Sequence, residues 1–252
     1  MQIILFILST TTSIIGAISG IGGGIILKPL LDTFQVFSVE TISFLTGITV
    51  LCMSITSLIR SRKDNIKIEI KDTSIIAVGS IIGGILGKEI FHLVPNTYQL
   101  ILLSLMIISI LIFELTKKKR KTYTLNNPIL LIIPGLILGG ISSFLGIGGG
   151  PLNIVLFTLL FSMSIKKAAI NSLAVIFFSQ TASLLTSILN NKVPDFSPSI
   201  LICMILGGIA GGILGSELRK RITDKQAEKI FLLILILILI IVMFNLKVHI
   251  SH

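Results

Sequence analysis

Charge is what this sequence has least of. Asp, Glu, Lys and Arg make up 13% of its 252 residues, against 53% hydrophobic residues, and the mean hydropathy is +1.02. A soluble domain carries about twice that share of charge, so a water-soluble enzyme or binding module is excluded. Cysteine is scarce too. Cys52 and Cys203 lie in separate apolar runs without metal-ligand spacing, and read as small buried hydrophobes. His92, His249 and His252 sit at segment ends and form no cluster. The apolar segments hold no paired carboxylates, metal set or nucleophile–base arrangement. An enzyme therefore has little to stand on, and neither cofactor nor metal is expected. The formal charge of +10 would suggest nucleic acid in a soluble protein. Here the basic residues fall in short loops, where membrane orientation explains them better, so nucleic acid is not an expected partner.

What the chain does have is apolar length. Eight apolar segments run over about 3–37, 42–59, 74–93, 98–116, 129–163, 168–189, 199–218 and 230–246. About 20 residues cross a bilayer core, and long continuous runs favour helices over a barrel. The composition predicts an all-α integral membrane protein whose main partner is the lipid bilayer. The N-terminal "MQIILFILSTTTSIIGAISG" is similar to a signal peptide but lacks a basic start. It also has an internal counterpart, "NPILLIIPGLILGGISSFLG", and so is expected to be part of the fold.

The first and fifth segments, at about 35 residues, are too long for one ordinary crossing. Each carries GIGGG near its middle, at 20–24 and 146–150. Ser38 and Ser164 keep the same offset, and "IIGGILGKEI" at 81–90 matches "IAGGILGSEL" at 209–218 in seven of ten positions. A duplicated chain follows: a first transmembrane repeat at 1–116, a basic cytoplasmic linker at 117–127 and a second transmembrane repeat at 128–252.

Seventeen of the 21 Lys and Arg residues lie at 60–71, 117–121, 166–167 and 219–229. Eight simple crossings would place two of these clusters outside. If each 35-residue segment instead enters and returns to the same side, all four fall in the cytoplasm and the second half is inverted. Equivalent loops then carry opposite bias, as inverted repeats require: 60–72 is basic and its twin 190–198 has only Lys192, while 92–98 has no Lys or Arg and its twin 219–229 has five. The expected fold is two inverted-topology repeats, each a Gly-broken helical hairpin plus three transmembrane helices.

GIGGG is the expected break. Glycine permits tight turns, and irregular backbone at membrane depth must be buried in protein or line a cavity. Helices resuming after the breaks would present free N–H groups and a positive dipole end to an anion, and Pro151 suits a first helical turn. The alternative is that these glycines serve packing alone. Packing is the better account of Gly79, Gly83, Gly87 and Gly207, Gly211, Gly215, spaced by four. No Gly-Lys-Ser/Thr follows GIGGG, so it is not a phosphate loop. Candidate substrate-binding residues are Gly22, Gly23 and Gly24, and Gly148, Gly149 and Gly150. Lys28 joins them as an intramembrane lysine that binds substrate or snorkels to headgroups. Thr46, Asn153, Asn171 and Ser172, with Thr49 and Gln180, are polar residues in apolar runs that face a ligand or bond helix to helix. Glu89 and Glu217 are equivalent and suit a structural salt link or an interface position better than proton coupling.

Two GGG-containing segments half a chain apart, "AAINSLAVIFFSQTASLL" at 168–185 and "GGILG" in each half resemble the sulfite exporter TauE/SafE family. The resemblance covers nearly the whole chain. It implies a multi-pass transporter of sulfur-containing anions such as sulfite and organosulfonates, and points to Gly22–Gly24, Gly148–Gly150, Asn171 and Ser172. The first half departs from the pattern with Leu45 and Thr46 where a polar pair is expected. The function expected is a multi-pass secondary transporter moving a small anion, a sulfur oxyanion or organosulfonate, across the cytoplasmic membrane. The alternatives are a channel-like anion facilitator, a non-transporting membrane scaffold and, least supported, a membrane enzyme. A coupling ion and a homo-oligomer are compatible with this reading.

The charge pattern makes a prediction about sidedness. Single cysteines placed in 60–72, 117–127, 164–168 or 219–229, without Cys52 and Cys203, should resist an impermeant thiol reagent in intact cells. Labelling of 219–229 from outside restores eight simple crossings.

Overall fold

Both over-long segments stop and turn at their glycines. The computed structural model describes residues 1–63, 70–91, 93–116, 128–145 and 147–250. The 117–127 linker, the middle of the 60–71 loop, His92, Gly146 and His252 lie outside the described residues. In the first half, α1 (Gln2–Ser19) ends at Gly20, which takes the left-handed conformation at φ 75° and returns its N–H to Gly16 O. Gly22 follows at φ 85°, and α2 (Gly24–Thr33) begins. In the second half a 3-10 turn (Pro128–Leu131) leads into α6 (Ile132–Leu145). Gly148 and Gly149, at φ 81° and 65°, then turn the chain into α7 (Gly150–Phe161), with Pro151 in its first turn. Residues with a Cβ rarely adopt these positive φ values.

The other helices are α3 (Val39–Lys63), α4 (Ile70–Phe91), α5 (Asn96–Thr116), α8 (Ile165–Leu189), α9 (Pro198–Arg221) and α10 (Asp224–Ile250). No strand occurs among the described residues. Seven helices, α1, α3, α4, α5, α8, α9 and α10, are long and apolar enough to cross a membrane. At about 1.5 Å per residue each reaches roughly 27 Å or more, close to the thickness of a bilayer core. Helices α2, α6 and α7 are shorter. The end of α2 comes back beside the start of α1: Leu5, Leu27 and Leu31 share a buried cluster, with Leu8 packed against it.

The halves interlock rather than sit side by side. Helix α9 lies between α1 and α3, while its equivalent α4 lies between α6 and α8. Each broken hairpin thus packs on a helix of the other half. Glycine stripes make the approach possible. A Cβ on Gly207, Gly211 or Gly215 would strike Ser9, Ser13 and the Ile14 carbonyl of α1. One on Gly79, Gly83 or Gly87 would strike the carbonyls of Ile132, Leu136 and Gly140 in α6. Helices in lipid associate through such van der Waals contact, because burying apolar surface away from lipid gains little. Glu217 pairs with Arg60 at 3.2 Å and Lys220 at 2.9 Å, and Glu89 pairs with Lys192 at 3.0 Å. Arg60 is in the last turn of α3, from which the chain passes to the start of α4, whereas Glu89 is near the end of α4. The two equivalent glutamates therefore mark opposite ends of the bundle.

The α4–α6 interface separates two kinds of glycine. A Cβ on Gly83 would lie 2.0 Å from Leu136 O, whereas the nearest atom to one on Gly140 is 3.6 Å away. Gly83→Ala should destabilise the protein in detergent by about 1–3 kcal/mol, and Gly140→Ala should be tolerated. Equal thermal stability of the two variants would contradict this packing.

Candidate functional site

The two glycine breaks meet. A Cβ on Gly150 would fall 1.6 Å from Ile21 O, and one on Gly24 would fall 3.2 Å from Ile147 O. Each break thus sets a peptide carbonyl against the first residue of the opposite short helix. Ile21 and Ile147 are fully buried. Val50 of α3 and Ile176 of α8, equivalent positions in the duplication, flank both breaks. They come within 3.8 Å of a Cβ placed on Gly22 and within 3.6 Å of one placed on Gly148. The first turns of α2 and α7 carry free N–H groups and the positive end of the helix dipole. Two such ends are brought together between α3 and α8.

A side-chain hydroxyl reaches the backbone of both breaks. The Ser172 hydroxyl donates to Gly20 O at 2.8 Å and lies 3.3 Å from Gly150 O. Its equivalent Thr46 does not reach across; it donates to Ile42 O at 2.7 Å in its own helix. Asn171 lies apart from the breaks in its bonding. Its Oδ1 accepts from Thr73 at 2.7 Å and its Nδ2 donates to Lys167 O, tying α8 to α4. Asn153, one turn into α7, is 1% exposed, and its Oδ1 has no hydrogen-bond partner among the described residues. A buried, unpaired amide oxygen costs about 1–3 kcal/mol. Gln180 of α8 is also buried, and its amide nitrogen ends 3.2 Å from where a Cβ on Gly148 would stand. In the sequence, Gln180 was only one of several polar residues within an apolar run.

The buried cations serve the helices that end at the breaks. Lys28 is buried rather than snorkelling. Its ammonium donates to Leu145 O, the last carbonyl of α6, and to Gln99 Oε1 at 3.3 Å, and it stands 5.0 Å from the centre of the Phe91 ring. Gln99 in turn donates to Phe91 O and Val94 O. Arg219, 2% exposed, does the same for α1, donating to Ala17 O at 2.7 Å and to Ser61 Oγ at 2.6 Å. Both cations sit at the negative ends of helices, where unsatisfied carbonyls gather. Arg219 belongs to the 219–229 basic cluster, and nothing local in the sequence distinguishes it from Lys220 or Arg221.

These contacts predict unequal serines in α8. Ser172→Ala leaves the Gly20 carbonyl without its donor, while Ser179→Ala removes only a bond to Ile176 O of its own helix. Ser172→Ala should cost on the order of 1 kcal/mol more in thermal unfolding of the detergent-solubilised protein. Matching losses would mean that Ser172 does not link the breaks.

The family model described as Sulfite exporter TauE/SafE matches residues 5–243. A protein of Haemophilus influenzae named Probable membrane transporter protein is 32% identical over 88 residues, 34% of this chain and 33% of that protein. The alignment thus spans about a third of that relative's length. No solved structure matches. The family consists of membrane transporters, not enzymes. With the match running over nearly the whole length, the chain belongs to the sulfite exporter TauE/SafE family, and seven of its described helices are long and apolar enough to cross a membrane.

Proposed function

We propose that this protein is a secondary transporter that moves a small anion, a sulfur oxyanion or organosulfonate of the sulfite type, across the cytoplasmic membrane. The observation that carries the reading is the meeting of the α2 and α7 N-termini at the two glycine breaks. Oriented peptide N–H groups and converging dipole ends attract an anion without a metal or a strongly hydrated cation. The carbonyls of Ile21 and Ile147 now lie against those ends, and an anion cannot share that place with them. Binding therefore requires the hairpins to separate, which couples ligand entry to a change of conformation. Gly22–Gly24 and Gly148–Gly150 supply the backbone of this site, and Ser172, Asn153 and Gln180 its neutral polar groups. Lys28 adds positive charge beside the second break. Thr46 of α3 is one turn before Val50, and Asn171 of α8 precedes Ser172.

The reading includes two inverted-topology repeats joined by the cytoplasmic 117–127 linker. The opposite placement of Glu89 and Glu217, the exchanged packing of α1 on α9 and α6 on α4, and the basic loops all support it. Energy comes from ion or substrate gradients, since the sequence has no ATP-binding motif.

Proteoliposome flux of sulfite, sulfate, thiosulfate and taurine tests the proposal. The sharpest variant is Asn153→Leu, which installs the residue found at the equivalent position, Leu27. It removes an unpaired buried amide oxygen, so stability should rise. Loss of one hydrogen bond to a bound anion should lower flux on the order of tenfold. Saturable flux that survives Asn153→Leu and Gly148→Ala unchanged removes the breaks from the site. Absence of flux for every anion favours a scaffold, and non-saturating flux favours a channel-like facilitator.

A further inference from the structure

A cavity of about 340 Å³ opens between α3, α4 and α8, away from the glycine breaks. Its size falls in the usual range for ligand sites. Its walls are Ile55, Ile59, Phe177 and Phe178, and its polar end is formed by Arg62 and Ser74. We infer that this cavity holds one acyl chain of an anionic phospholipid, with the phosphate on Arg62 and Ser74.

The lining is arranged as an amphiphile is. Ile55, Ile59 and Arg62 lie at i, i+4 and i+7 on α3, so the wall passes from hydrocarbon to guanidinium over about 10 Å along the helix. Arg62 is one residue from the end of α3 and Ser74 is in the second turn of α4, which places the polar end at the end of the bundle. Ile55, Ile59 and Phe178 are 37%, 52% and 42% exposed, so the apolar part opens sideways, where a membrane-spanning bundle meets lipid. A small hydrated oxyanion finds no partners along aliphatic and aromatic walls. A lipid tail fits there but gains little by leaving the bilayer, so any preference rests on the headgroup. Arg62 suits that role. Its neighbour Arg60 is paired with Glu217, whereas Arg62 pairs with no carboxylate among the described residues. A guanidinium binds phosphate through two parallel hydrogen bonds, and the Ser74 hydroxyl adds a donor. The surrounding loop is one of the four basic clusters of the sequence, which favours an anionic leaflet.

The test uses the full-length protein in neutral detergent, with phosphatidylglycerol and phosphatidylcholine of identical chains, read by native mass spectrometry and thermal unfolding. The expected result is that phosphatidylglycerol remains bound at higher activation and raises the melting temperature more than phosphatidylcholine does. Arg62→Gln should abolish that preference, and Arg60→Gln should keep it. Ala174 of α8 also lines the cavity, and Ala174→Phe, which fills it, should weaken retention of both lipids. Equal retention of the two lipids by the wild type overturns the proposal. So does a preference that survives both Arg62→Gln and Ala174→Phe, or displacement of phosphatidylglycerol by millimolar sulfate or sulfite, which would make the cavity an ion vestibule. None of these readouts depends on transport, so the proposed function stands or falls separately.

Discussion

A helix that stops inside a membrane leaves carbonyls that water cannot reach, and this fold depends on how those carbonyls are satisfied. Unpaired backbone groups cost several kcal/mol each in hydrocarbon. Helix α1 stops at Ser19 and α6 at Leu145. Arg219 holds Ala17 O, Lys28 holds Leu145 O, and Ser172 holds Gly20 O. A chain with so little charge places two of its buried cations at these ends, where the helix dipole is negative. The cation and the helix end solve one another's problem: a buried ammonium needs acceptors as much as the carbonyls need a donor.

The caps also decide which elements move together. Lys28 belongs to α2 of the first half and caps α6 of the second. Arg219 belongs to α9 of the second half and caps α1 of the first. The glycine stripes of α4 and α9 bring the same cross-half partners within backbone contact. Each hairpin is therefore bound to the opposite half more closely than its own chain connectivity requires. A motion that parts the breaks carries α1 with α9 and α6 with α4, and it must break the bond from Lys28 to Leu145 O, which joins the two hairpins.

The sequence made the breaks legible because three signals coincided: segments too long for a crossing, a five-residue motif within each, and a helix-starting proline after the second. The stripes were legible by their spacing of four. The eight apolar segments became ten helices because two of them were cut at those glycines. What the sequence concealed were partners far apart along the chain. Lys28 reads as an isolated intramembrane lysine until Leu145 stands beside it, and Arg219 reads as one more loop charge. That each break packs a carbonyl beside the first glycine of the other's short helix could not be seen from either motif, since close packing and ligand approach both call for glycine. Asn171 stands beside Ser172 in the sequence, but its amide accepts from Thr73, a partner far away along the chain.

The glycine motifs are repeated in the sequence, but the side chains around them are not. Where the second half has Asn153, Asn171 and Ser172, the first has Leu27, Leu45 and Thr46, and Leu27 and Leu45 lie in one apolar cluster. Where the first half has Gly16 packed on Gly23, the second has Ser142 against Gly149. Lys28 has Ile154 as its equivalent. A symmetric scaffold can exchange two conformations of similar energy, because an interface that opens in one half is matched by one that closes in the other. A symmetric ligand site would offer two equal poses. The polar groups cluster on the α7–α8 side, so a ligand held there meets hydroxyl and amide partners on one flank and aliphatic surface on the other. In the proposed function the duplication supplies the exchange, and its loss at these few positions gives the bound anion a single orientation.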